Sequence, residues 1–203
     1  MNKQKNILVT FTGPSCSGKT TLLNELMTHE GFGTIVSHTT RAMRPGEVDG
    51  VDYHFVTKQV FDTIEFIEKI DFNGAFYGVS AGEMSKVQES GKVALLIVEP
   101  RGLDQIRHYI WKKLPDVQIL SYYMDVALEL AIARYLTRLV LPAKGDGYLA
   151  THAKRMASIA DEIRTWGTML RYDKWFLSIN EEDTELLAHK VMLDIRDLQE
   201  KQE

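Results

Sequence analysis

The chain has 203 residues, 44 % of them hydrophobic and 26 % charged, with a formal net charge of −4. That is room for one compact core with inserted subdomains, and it argues against general nucleic-acid binding, which needs a strongly basic face. A single cysteine, Cys16, excludes an intramolecular disulfide, as expected of a reducing compartment.

No apolar run approaches the length of a membrane span, and the N-terminus carries no secretory pattern. The expected setting is the cytoplasm, with neither membrane nor nucleic acid as a partner. A local basic pocket for a small anion stays open, and the expected assembly is a monomer or a homodimer.

The apolar run at 6–11 reads as a buried strand of a parallel sheet. Leu22, Leu23 and Leu26 then share one face of a helix over 20–29, with Gly31 and Gly33 as stop signals. A second strand is expected at 34–37, and a polar loop runs on to Gly50. Phe61, Ile64 and Ile67 recur at helical spacing, so 57–69 is expected to be a helix that Glu68 closes. Asn73-Gly74 within 71–78 is a turn signal.

A helix is expected at 80–90, ended by Gly91, with strands at 92–99 and 117–124. Leu128, Ala131, Ile132, Tyr135, Leu136 and Leu139 fit one helical stripe, broken by Pro142 and the glycines at 145 and 147. A long helix at 151–170, a last strand at 174–179 and an amphipathic helix bearing Leu187, Val191, Ile195 and Leu198 complete the chain. Alternating strands and helices predict an α/β fold with a parallel sheet between helical layers. Two polar, basic stretches, 35–88 and 138–157, read as insertions at one end of the sheet.

Residues 13–20, Gly-Pro-Ser-Cys-Ser-Gly-Lys-Thr, satisfy G-x-x-x-x-G-K-[ST] between a strand and a helix. In such a P-loop the glycines let backbone N–H groups turn inward around phosphate oxygens, and the helix N-terminus adds partial positive charge. Gly13, Pro14, Ser15, Cys16, Ser17, Gly18, Lys19, Thr20 and Thr21 are therefore the candidate ATP-binding residues. Lys19 would reach the β- and γ-phosphates, and Thr20 would offer its hydroxyl to Mg²⁺.

The P-loop alone does not separate ATPases, GTPases and kinases; SHTTRAMRPGEVDGVDYHF at 37–55 carries more. Two arginines three apart, with a serine and a tyrosine, can converge on one phosphate, because the planar guanidinium donates paired hydrogen bonds to its oxygens. With GPSCSGKTTL before it and FNGAFYGVS after it, in this order and spacing, this segment resembles guanylate kinase.

The resemblance implies a P-loop three-layer core at 1–34, 89–133 and 172–203, a nucleoside-monophosphate-binding insertion at 35–88 and a helical lid at 134–171. It assigns Ser37, Arg41, Arg44, Tyr53 and Tyr77 to the acceptor phosphate. Glu68 and Glu99 would read guanine, whose adjacent N1–H and N2–H₂ donors suit an acceptor-only carboxylate. Arg134 and Arg138 match the family's R-x-x-x-R, and Arg155 matches a third arginine beyond the lid; with Lys19 and Arg41 they are the candidate catalytic cations. Asn180 resembles the family's adenine-side loop.

Three positions depart from the pattern. The family's Asp-x-Asp reads Ile97-Val98-Glu99, so a carboxylate that would support Mg²⁺ is missing, although Glu99 shares its strand face. Val79 stands where the family has a hydroxyl that contacts guanine, with Ser80 one residue on. The lid from 139 to 154 is longer than usual and lacks the family's Arg-Gly-Thr-Glu tract. The reading is a Mg²⁺- and ATP-dependent nucleoside monophosphate kinase acting on GMP or dGMP. Two alternatives remain: a kinase of another nucleotide or a sugar phosphate, and a guanylate-kinase-like binding module.

Overall fold

The computed structural model describes residues 6–72, 74–137, 148–178 and 183–201. Arg138 and Asn180, and the lid residues Pro142, Gly145 and Gly147, lie outside the described residues.

The strands are β1 (Asn6–Thr12), β2 (Phe32–Thr34), β3 (His38–Thr39), β4 (His54–Phe55), β5 (Phe66–Phe72), β6 (Ala75–Ser80), β7 (Val93–Ile97), β8 (Val117–Val126) and β9 (Lys174–Ser178). The helices are α1 (Lys19–Met27), α2 (Lys58–Phe61), α3 (Ala81–Glu89), α4 (Pro100–Lys113), α5 (Leu128–Thr137), α6 (Tyr148–Met169) and α7 (Asp183–Glu200).

The main sheet has the order β2-β7-β1-β8-β9, and every pairing in it is parallel. Strand β1 is its centre and alternates across the two faces, as side chains on a strand must. Ile7, Val9 and Phe11 pack with Leu22 and Leu26 of α1 and with Val191 and Ile195 of α7. Leu8 faces the other way, among Leu103, Ile106 and Ile110 of α4 and Met84 and Val87 of α3. The result is the expected three-layer arrangement, buried on both faces.

A second sheet, β4-β3-β6-β5, lies within the 38–80 segment. Its β5–β6 hairpin pairs Phe72 with Ala75, with Gly74 at φ 78° in the turn. This corrects the helix expected at 57–69. Only Lys58–Phe61 is helical, capped by the Thr57 side chain on the Val60 amide; Phe66–Phe72 is a strand. The helical spacing was misleading because hairpin pairing outweighs it, and Phe66, Ile67, Ile70 and Phe72 favour an extended chain.

Strand β2 also starts earlier than expected, at Phe32. The sequence reading passed over α4 altogether. Its signals were Pro100 at the first helical position and Leu103, Ile106 and Ile110 on one face.

Candidate active site

Strand β1 ends in a loop that folds tightly over β8. A Cβ on Gly13 would stand 2.2 Å from the Met124 carbonyl oxygen, so only glycine fits there. Gly18 begins α1 at φ 91°, and Cys16 takes φ 66°, a conformation that costs a non-glycine residue roughly 1–3 kcal/mol. Helix α1 has no side-chain cap and no acid in its first turn, which leaves its leading N–H groups to another acceptor. Lys19 curls back over the loop, its Nζ donating to the carbonyls of Gly13 (2.8 Å) and Pro14 (2.7 Å). Ser17 is fully buried beneath it, whereas Thr20 and Thr21 are exposed.

Helices α5 and α6 approach this loop from the other side. Arg134 donates to the Cys16 carbonyl at 3.1 Å and to Ser178 Oγ at 2.9 Å. Arg155 donates to the Ser15 hydroxyl. Glu162, a residue to which the sequence reading gave no role, accepts the Ser15 backbone N–H at 2.7 Å.

Across the cleft stands the second sheet. Arg41 donates through NH1 and NH2 to the two oxygens of Glu47, at 2.9 and 2.8 Å, and through NH1 to the Ala42 carbonyl at 2.7 Å. Its guanidinium lies 5.4 Å from the centroid of Tyr53, whose ring meets Tyr77 at 5.9 Å. Burial alone would lower the Arg41 pKa, but its bonds to Glu47 and the nearby Tyr77 raise it. Burial likewise disfavours the Glu47 carboxylate, yet Arg41 and the Arg44 amide hold its pKa below the usual range. Burial pushes the Tyr53 phenol up. Glu47, in the quoted Arg-Pro-Gly-Glu tract, is a second residue the sequence reading left without a role.

A cavity of about 200 Å³ lies between these two walls. Gly13, Ser15, Lys19 and Arg155 line the donor-loop side; Ser37, Arg41, Arg44, Tyr53 and Tyr77 line the other. Glu68, Glu99, Ile70, Phe72, Ile97, Val98 and Trp166 close the far end. Thr20 lines an adjoining space of about 230 Å³ that shares Ser37, Arg44, Tyr53 and Ile97 with the first. Arg134 lines neither. A larger groove of about 710 Å³ along α4 holds none of these residues, so size does not mark the site.

Glu68 sits on strand β5, not at a solvated helix end. It is 5 % exposed, and its Oε2 has no hydrogen-bond partner. Burial, reinforced by Glu99, pushes its pKa up to about 8 against a backbone hydrogen bond at Val79. Glu99 begins α4 and is also raised by burial, with Arg101 opposing and Glu162 adding to the shift. Gly102 makes room for this pair, since a Cβ there would lie 2.9 Å from Glu68 Oε2. Val79 is fully buried in the core cluster, and Ser80 Oγ accepts the Glu83 amide at 3.2 Å as the cap of α3. Neither places a hydroxyl in the cavity.

A family profile described as Guanylate kinase matches residues 4–115, from β1 past the end of α4. Guanylate kinase of Vibrio parahaemolyticus is 30 % identical over 207 residues, covering 98 % of this chain and 92 % of that protein. Human guanylate kinase is 43 % identical over 125 residues, which is 56 % of this chain and 64 % of the human protein. The Sus scrofa guanylate kinase is 38 % identical over 125 residues and matched over 63 % of its length. In these two shorter matches the chain thus spans less than two thirds of the relative.

Among solved structures, guanylate kinase from Anaplasma phagocytophilum superposes with a TM-score of 0.69 at 25 % identity, covering 98 % of this chain and 89 % of that one. With a profile over more than half of its length and a relative aligned from end to end, the chain belongs to the guanylate kinase family.

Proposed function

We propose that the chain transfers the γ-phosphoryl group of ATP to a nucleoside monophosphate, with GMP or dGMP as acceptor. The observation that carries this reading is the shared cavity. Gly13, Ser15 and Lys19 of a phosphate-cradling loop face Arg41, Arg44, Tyr53 and Tyr77 across one space. A loop that served only hydrolysis would need no second phosphate clamp.

The donor's tail would lie on the loop amides and the open N-terminus of α1, with Lys19 moving from the loop carbonyls to the phosphates. Glu47 holds the Arg41 fork flat, so the acceptor phosphate meets donors already oriented. Arg155, which lines the same cavity beside the donor loop, would offset the charge that spreads in the transition state. Bringing both phosphates into one space from which water is displaced favours transfer over hydrolysis.

The residues present fit Mg²⁺ in a sparse form. No group of three or more His, Cys, Asp or Glu among the described residues could hold a metal ion. Mg²⁺ keeps most of its waters, however, and needs only one or two protein ligands beside the phosphates. The exposed Thr20 hydroxyl would be one of these; bound there, the ion would offset charge on the transferred group.

A second reading is favoured by two observations. The wall that should contact guanine offers no hydroxyl at Val79 or Ser80, and burial pushes the Glu68 pKa up to about 8, which favours its protonated form. A protonated carboxyl both donates and accepts, so it suits a different base or a sugar phosphate better than a bare carboxylate would. ADP release measured with Mg·ATP against GMP, dGMP, IMP, AMP, CMP and UMP separates these readings. GMP and dGMP should lead; a preference for AMP or a pyrimidine would overturn the base assignment. ATP binding without ADP release for any acceptor would favour a binding module. No described helix is long and apolar enough to cross a membrane.

A further inference from the structure

Helix α6 reaches both ends of the cleft with one face. Arg155, Glu162 and Trp166 are separated by seven and then four residues, so they lie along one side of the helix. Glu162 is 3 % exposed, and both of its oxygens are engaged. Oε2 accepts the Ser15 amide at 2.7 Å; Oε1 accepts the Ser158 hydroxyl at 2.9 Å and meets Arg155 NH1 at 3.4 Å. One turn further on, the Trp166 ring lies 5.8 Å from Phe72 on the acceptor side of the cavity. A Cβ on the next residue, Gly167, would stand 2.8 Å from the Trp175 ring, so α6 is pressed against β9 and Trp166 is held in place.

A buried charge is costly unless it is paired and hydrogen-bonded, and a buried ion pair is weak evidence for stability as such. The partners of Glu162 suggest orientation instead. They are an amide of the donor loop and an arginine that lines the cavity.

We propose that Glu162 is a positioning residue that ties α6 to the donor loop. One oxygen fixes the Ser15 amide and the other aims Arg155; the same helix then sets Trp166 against the acceptor end. Occupancy of the donor loop is thereby transmitted to the acceptor wall through a rigid element. The transfer step itself rests on the kinase reading above.

The test compares Glu162→Gln, which preserves shape, with Arg155→Met and the double variant. Glu162→Gln should keep its Tm within about 3 °C, a change of roughly 1 kcal/mol for a chain of this size. Its kcat should fall about ten- to a hundred-fold, the scale of a small misplacement near the reacting atoms. The double variant should lose less than the product of the two single losses, because the part of the Glu162 effect that runs through Arg155 is already gone. Full kcat in Glu162→Gln, or losses that multiply in the double variant, would overturn the proposal.

A second measurement does not depend on the acceptor. With Trp111 replaced by Phe, the two remaining tryptophans of the three are Trp166 and Trp175, which lie at the same stretch of α6, and ADP is titrated while their emission is followed. ADP should shift that emission in the parent and leave it still in Glu162→Leu, which has no oxygen to accept the Ser15 N–H, although ADP still binds by calorimetry. Equal shifts in both proteins would overturn the role. So would loss of ADP binding, since Glu162 would then belong to the cradle itself. Absence of transfer to every acceptor, with the emission result intact, would fail the kinase reading and leave the positioning role standing.

Discussion

Arg41 and Glu47 form a two-pronged ion pair, with each terminal guanidinium nitrogen donating to one carboxylate oxygen, at 2.9 and 2.8 Å. The pair is partly buried, and Glu47 also accepts the Arg44 amide at 2.7 Å, so one carboxylate shapes both arginines of the clamp. Removing it should loosen the clamp without removing its charge. Glu47→Ala is expected to raise the acceptor KM about tenfold with ATP KM nearly unchanged, the scale of one charge-assisted hydrogen bond. Arg41→Ala should cost more and lower turnover as well. Steady-state kinetics with each substrate varied in turn decides; near-normal values for Arg41→Ala would remove the clamp assignment.

Glu68 gives a pH signature. Its pKa is raised from 4.5 to about 8 by burial and by Glu99. Between those values the folded chain holds a proton that the unfolded chain has released. Its contribution is therefore fully present below about pH 4.5 and declines as the pH rises through about 8, at no more than about 1.4 kcal/mol per pH unit. Thermal melts from pH 5 to 9 should show Glu68→Gln losing less stability than the parent over that window. Parallel curves would show that Glu68 does not titrate there.

The same proton bears on binding. Guanine offers donors, so its capture by Glu68 requires the carboxylate. GMP affinity should rise as the pH approaches 8, with proton uptake by the buffer on binding, and both effects should vanish in Glu68→Gln. Calorimetry in two buffers of different ionisation enthalpy measures the released proton directly.

Gly102 should behave as an acceptor-side residue although it bears no functional group. A methyl there would meet Val98 Cγ2 at 2.7 Å and Glu68 Oε2 at 2.9 Å. Gly102→Ala is expected to raise the acceptor KM by about tenfold or more through a displaced Glu68, with ATP KM unchanged. An equal rise in both would point to general damage.

Ile97 ends β7 and lines both spaces of the cleft, the adjoining one together with Thr20. Ile97→Asp would put a carboxylate near the place proposed for Mg²⁺. The free Mg²⁺ concentration at half-maximal velocity should fall several-fold. An unchanged requirement would show that this strand end does not face the ion.

The three-layer core was legible because its signals are local. Ile7, Val9 and Phe11 form an apolar run, the glycines at 13 and 18 stand where backbone geometry demands them, and α1 and α7 carry apolar stripes of helical period. A buried parallel strand and an amphipathic helix each write their environment into a few consecutive residues. The phosphate clamp was legible for a different reason. Its members sit at set spacings in one segment, and that segment resembles a known family.

What only the tertiary structure decided is whatever depends on distant partners. Residues 57–69 read as a helix because Phe61, Ile64 and Ile67 fit that period, yet pairing with β6 made the second half a strand and turned Glu68 inward. Glu162 looked like any helical acid until α6 was laid against the donor loop, 147 residues away in the chain. The pressure on Gly102 and the raised pKa of Glu68 likewise arise from chain segments that meet only on folding. Periodicity records which face of an element is buried; it does not record what lies against that face, and burial beside a particular neighbour is what sets the charge and aim of a side chain.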